Sequence, residues 1–63
     1  MTKLEKIQRM VNASSIVDKE KAIAVIYRKK AKHVYKAYDL FDTGMVDADF
    51  CVICLSGMIN PAR

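Results

Sequence analysis

The sequence predicts an all-α protein with three helices, at about residues 3–12, 16–42 and 48–59. A long central helix carries two shorter antiparallel ones, and the whole is expected to assemble as a helical homodimer. Three observations predict this. Residues 17–41 contain neither Gly nor Pro and set an apolar stripe against a strongly basic face. No segment alternates apolar and polar residues as a half-buried strand would. Finally, 52% of a 63-residue chain is hydrophobic, more apolar material than one domain of that size comfortably hides.

The first helix rests on Leu4, Ile7 and Val11, spaced as i, i+3 and i+7 on one face, with Lys3, Glu5, Lys6 and Arg9 mostly off it. Asn12-Ala13-Ser14-Ser15 ends it. Ser15 is the expected N-cap of the next helix with Asp18 at its third position, an acidic variant of the capping box that suits the positive end of the helix dipole.

In the long helix, Ala24, Tyr27, Ala31, Val34, Tyr38 and Phe41 recur at alternating three- and four-residue steps, and Ile23 and Ile26 widen the stripe. Asp42-Thr43-Gly44 stops it, with Gly44 able to adopt the left-handed conformation of a C-terminal cap. Asp47 caps the third helix, and Val46 and Cys51 occupy the two positions of a hydrophobic staple. Asn60-Pro61 closes that helix.

These lengths predict a thin, elongated molecule. At 1.5 Å per residue the long helix spans roughly 37 Å and the outer two about 15 and 18 Å, so each outer helix covers only its own end of the stripe. The third helix carries Phe50, Val52, Ile53, Leu55, Met58 and Ile59 around much of its circumference. A helix that is apolar all round is buried on several sides. Tyr27, Val34, Tyr38, Phe41, Phe50, Ile53, Leu55 and Ile59 are therefore the candidate dimer or partner interface, within a single domain spanning residues 1–63.

The formal charge is +4, which bears on association rather than fold. On one helix, Arg28, Lys29, Lys32, His33 and Lys36 share an arc opposite the apolar stripe, and form the candidate site for an anionic partner or nucleic acid. Tyr35 sits at the arc's edge, placed to stack on an unpaired base. The arc has no Asn or Gln and a single Arg, so it lacks the side chains that read base edges.

Cys51-Val52-Ile53-Cys54 is a Cys-x-x-Cys one turn into an apolar helix. Redox pairs instead place the attacking thiol at a helix N-terminus within a mixed α/β fold, and zinc requires four ligands. Buried, inert thiols are expected. Residues 37–50, AYDLFDTGMVDADF, resemble part of an EF-hand, with a helix ending in DLFD, a Gly and Asp47. The resemblance implies an all-oxygen calcium loop. However, Gly44 follows Asp42 by two residues and Asp49 follows Gly44 by five, where a 12-residue loop needs its closing acid six after the Gly. A C-cap followed by an N-cap explains the same residues without a metal.

His33 is the single histidine, set among like charges, and no nucleophile–base pair or Gly-rich phosphate loop is present. No catalytic residue, metal, cofactor or small-molecule substrate is expected, and the chain is not expected to be an enzyme. The longest apolar stretch, about 50–59, is shorter than the roughly 20 residues a membrane span needs. The N-terminus lacks the apolar core of a signal peptide. A cytoplasmic interaction protein is expected, an accessory regulator or inhibitor that binds itself and another protein. A nucleic-acid-binding module using the basic face is the alternative.

Overall fold

Thr2-Lys3-Leu4-Glu5 begins the first helix with a reciprocal cap. The Glu5 N–H donates to Thr2 Oγ1 at 3.1 Å, and the Thr2 N–H donates to Glu5 Oε1 at 2.9 Å. The bond from the Thr2 backbone, seconded by the Thr2 side chain, holds the Glu5 carboxyl below its ordinary pKa. This support for the helix start is present at neutral pH and is lost as the pH falls through that lowered pKa. In a computed structural model describing residues 1–58, the chain forms α1 (Lys3–Ala13), α2 (Lys19–Tyr27), α3 (Ala31–Asp42) and α4 (Ala48–Ser56). The described residues contain no strand.

The expected 16–42 helix is two helices, which corrects the three-helix reading. The reason lies in its register. Ala22 and Ile26 are the buried residues of α2, whereas Ala24, Tyr27 and Ala31 of the expected stripe are exposed. Continued without a break, the Ala22–Ile26 face would run on to Lys29, Lys30 and His33 and bring cations against the core. The chain instead turns at Arg28–Lys30. Lys30 is extended (φ −63°, ψ 140°), and α3 restarts in a phase that buries Val34 and Tyr38.

A distant side chain secures the turn. Lys3 Nζ donates to the Tyr27 carbonyl at 2.6 Å and the Lys29 carbonyl at 2.7 Å, and lies 4.7 Å from the Tyr27 ring centroid. It satisfies carbonyls left orphaned at the end of α2 and sets a cation at the negative end of that helix.

This geometry makes a test. Ala31 is exposed and opens α3 directly after an extended residue, a position at which Pro is favoured. Ala31→Pro is expected to leave the fold intact and raise its stability by about 0.4–1 kcal/mol through the unfolded state. In a continuous helix the same change costs about 3 kcal/mol or more. Thermal melts followed by circular dichroism separate the two outcomes.

The cap of α2 also differs from expectation. Asp18 caps it by accepting from the Lys21 N–H at 3.1 Å. The Ser15 N–H donates to Asp49 Oδ1 at 2.6 Å, tying the α1–α2 connection to the first turn of α4. Elsewhere the expected signals hold. Gly44 is left-handed (φ 78°), and the Met45 N–H to Leu40 carbonyl and Gly44 N–H to Phe41 carbonyl bonds close a Schellman motif. Asp47 caps α4 by accepting from the Phe50 N–H at 2.8 Å, and Val46 packs against the core cluster that contains Cys51. However, α4 stops at Ser56, because Gly57 turns left-handed (φ 72°). Ile59 and the Asn60-Pro61 stop lie outside the described residues.

The break replaces an elongated rod with a body of 28 × 24 × 16 Å. α1 and α4 pack on each other and on both remaining helices, while α2 and α3 diverge from their shared turn and barely touch. The two terminal helices are therefore the centre, and the halves of the expected spine are the flanks. The core joins Ile7, Met10 and Val11 of α1, Ile16, Ala22 and Ile26, Val34 and Tyr38, and Cys51, Val52 and Leu55 of α4.

Candidate functional site

The core claims several residues expected at an interface between chains. Val34, Tyr38 and Leu55 are buried within their own chain, and Phe41 and Ile53 are half-buried. The Tyr38 and Phe41 rings meet edge to face at 5.9 Å. Of the expected interface residues, Tyr27 (53% exposed) and Phe50 (58% exposed) remain open to solvent. Ile59 falls outside the described residues.

Tyr27 belongs to a shallow groove of about 380 Å³ lined by Leu4, Glu20, Ile23, Ala24, Tyr27 and Arg28. The α2 residues recur at i, i+3, i+4, i+7 and i+8, one continuous face of that helix, and Leu4 of α1 forms the facing wall. Its floor is apolar, with one acid and one base at its ends. Tyr27 is one of the expected interface residues, whereas Leu4, Glu20, Ile23 and Ala24 are not among the site residues expected from the sequence. The 20–23–24–27 spacing was the available signal on α2. Nothing local connects Leu4 to it.

A second hollow of about 490 Å³ lies between α1 and α3, lined by Arg9, Asn12, Ala13, Tyr38, Phe41 and Asp42. Its lining mixes charge with aromatic edges and provides no continuous apolar floor.

The basic residues are all exposed, but the break divides their arc. Arg28, Lys29 and Lys30 occupy the turn, while Lys32, His33 and Lys36 lie on α3, where Lys36 follows the other two by one helical turn. Arg28 also borders the apolar groove. Tyr35, placed by the sequence to stack on a base, lies beneath Lys6, whose Nζ is 4.4 Å from the ring centroid. Lys6 also lies 5.2 Å from the Tyr38 ring.

Cys51 is buried and Cys54 exposed, and both are free thiols. Burial, followed by the neighbouring Cys54 and Asp47, pushes the Cys51 thiol above its ordinary pKa, which disfavours the reactive thiolate. Among the described residues, no three His, Cys, Asp or Glu side chains converge as a metal site would require. Of the residues resembling an EF-hand, Asp47 acts as a helix cap and Asp49 as the acceptor for Ser15. No described helix is long and apolar enough to cross a membrane.

Fold and surfaces together define a small, compact all-helical protein with an apolar groove on its α1–α2 face. No family model matches the chain, and neither does any curated protein or solved structure.

Proposed function

We propose that this chain is a small non-enzymatic interaction protein of the cytoplasm, a homodimeric accessory regulator or inhibitor that acts by binding another protein. The observation that carries this reading is the groove on α1 and α2. Tyr27, 53% exposed, and Leu4, 40% exposed, border an apolar groove whose Ile23 also packs on the core from the other side. Buried in a contact, such side chains contribute roughly 25 cal/mol per Å² of apolar surface removed from water. Aromatic residues also anchor protein interfaces disproportionately.

Light scattering on the purified chain is expected to give a mass near twice 7.1 kDa, or that of a stable complex with a protein recovered from the native host. A chain that stays monomeric up to millimolar concentration and recovers no partner overturns the proposal.

Nucleic-acid binding is the second reading. What favours it is the uniform exposure of Arg28, Lys29, Lys32, His33 and Lys36 at and just after the α2–α3 turn. It requires an affinity that falls steeply with salt. Binding that is absent, or indifferent to salt, removes it.

A further inference from the structure

The one acid and one base that line the groove, Glu20 of α2 and Arg28 at its C-cap, lie symmetrically about one small residue. Glu20, Ala24 and Arg28 form a single row at four-residue intervals, with the acid one step before Ala24 and the base one step after. Ile23 and Tyr27 form the adjacent row. All five line the same groove. Neither Glu20 nor Arg28 makes an ion pair or side-chain hydrogen bond with another described residue.

We infer that this face docks a second copy of the chain, with the two α2 helices antiparallel about a two-fold axis passing at Ala24. The inference rests on the homodimer reading above and assigns it an interface. A two-fold operation that reverses the helix carries the position four residues before Ala24 onto the position four after it. Glu20 of each copy then meets Arg28 of the other, giving two equivalent charge pairs from one sequence. This is the self-complementarity a closed dimer requires.

Packing favours the same arrangement. Helices crossing at about −50° interleave their four-residue rows, which lays the Glu20–Ala24–Arg28 rows alongside each other in opposite directions. Ala24 falls at the crossing point, where its methyl side chain permits close approach of the axes. Ile23 and Tyr27 fill the flanking grooves, and Leu4 closes the outer wall.

Charge also selects a like partner. Each copy carries a formal +4, and copies meeting through their basic turns would repel. The α2 groove carries one acid and one base, so two copies can meet there without net repulsion across the contact. A standard interface covers roughly 800 Å² per partner, about a fifth of the chain's 4266 Å². A groove of six residues is smaller than that, so the dimer is expected to be weak and reversible.

Charge exchange on the full chain tests this, with association followed by sedimentation equilibrium from micromolar to millimolar concentration. Glu20→Arg and Arg28→Glu, both at exposed positions, are each expected to weaken self-association about tenfold or more by placing like charges opposite each other twice per dimer. An equimolar mixture of the two variants is expected to form heterodimers as strong as the wild-type dimer, as is the double variant with itself. Recovery in the mixture also shows that the single variants are folded. A wild-type dimer that both single changes leave intact places the interface elsewhere and overturns this inference, while the homodimer reading survives. A wild type that stays monomeric to millimolar concentration overturns both.

Discussion

Ile26→Ala is expected to cost about 2–5 kcal/mol, the range for truncating a buried aliphatic side chain and leaving a partly collapsed cavity. Ile26 is fully buried in the cluster where α2 meets α4 and α1. A chain of 63 residues has a total stability of roughly 3–9 kcal/mol at typical per-residue values. The substitution therefore removes a large share of the folding free energy. Its melting temperature should fall by about 10 °C or more.

The informative control is the next residue. Tyr27 is exposed, so Tyr27→Ala, measured where the chain is monomeric, is expected to move the melt far less. The stripe read from the sequence makes Tyr27 a packing residue and Ile26 its margin. Equal losses for the two substitutions, or a larger loss for Tyr27, would mean that α2 is rotated from the position described.

Lys3→Met is the second large effect. Methionine retains an apolar stem near the Tyr27 ring but loses the ammonium bonds to the Tyr27 and Lys29 carbonyls. Hydrogen bonds to a charged group contribute about 1.5–3 kcal/mol. Partial exposure to water reduces this, so the expected loss is about 1–2 kcal/mol. Lys6→Met is the comparison, because it removes cation–π contacts with Tyr35 and Tyr38 of about 0.5–1 kcal/mol at an exposed site. Urea titrations of the two variants check the ranking. If Lys3→Met matches the wild type, the break after α2 does not depend on this lysine.

The two experiments probe one structural fact, the division of the expected long helix, and that division also creates the candidate site. A straight helix in the register of the expected stripe would have kept Ala24 and Tyr27 under its neighbours, and one in the Ala22–Ile26 register would have buried Lys29, Lys30 and His33. Turning at Arg28–Lys30 releases Ala24 and Tyr27, with Glu20 and Arg28 at either end of the exposed groove. The position of the groove is therefore a consequence of the break.

Local signals were sufficient for much of the fold. The Leu4–Ile7–Val11 spacing locates α1, and the left-handed Gly44 and the Asp47 cap locate the end of α3 and the start of α4. The exposed basic residues were also legible, since cations do not enter a core unpaired. The Thr2-x-x-Glu5 capping box and the stop at Gly57 are equally local signals, though neither is among the expected helix boundaries.

The linear sequence was enough for an all-helical chain, for the stretches of chain where α1 and α4 begin, and for the exposed basic residues. Caps, turns and periodicity act within a few residues, so a linear reading can reach them. Packing between helices settles which apolar face of residues 19–27 is buried, where the long segment breaks, and that α1 and α4 rather than that segment form the centre. Two apolar registers compete on α2, and neither Gly nor Pro arbitrates between them. The choice depends on the helices packed against Ile26, and on a lysine 24 and 26 residues away from the carbonyls it caps.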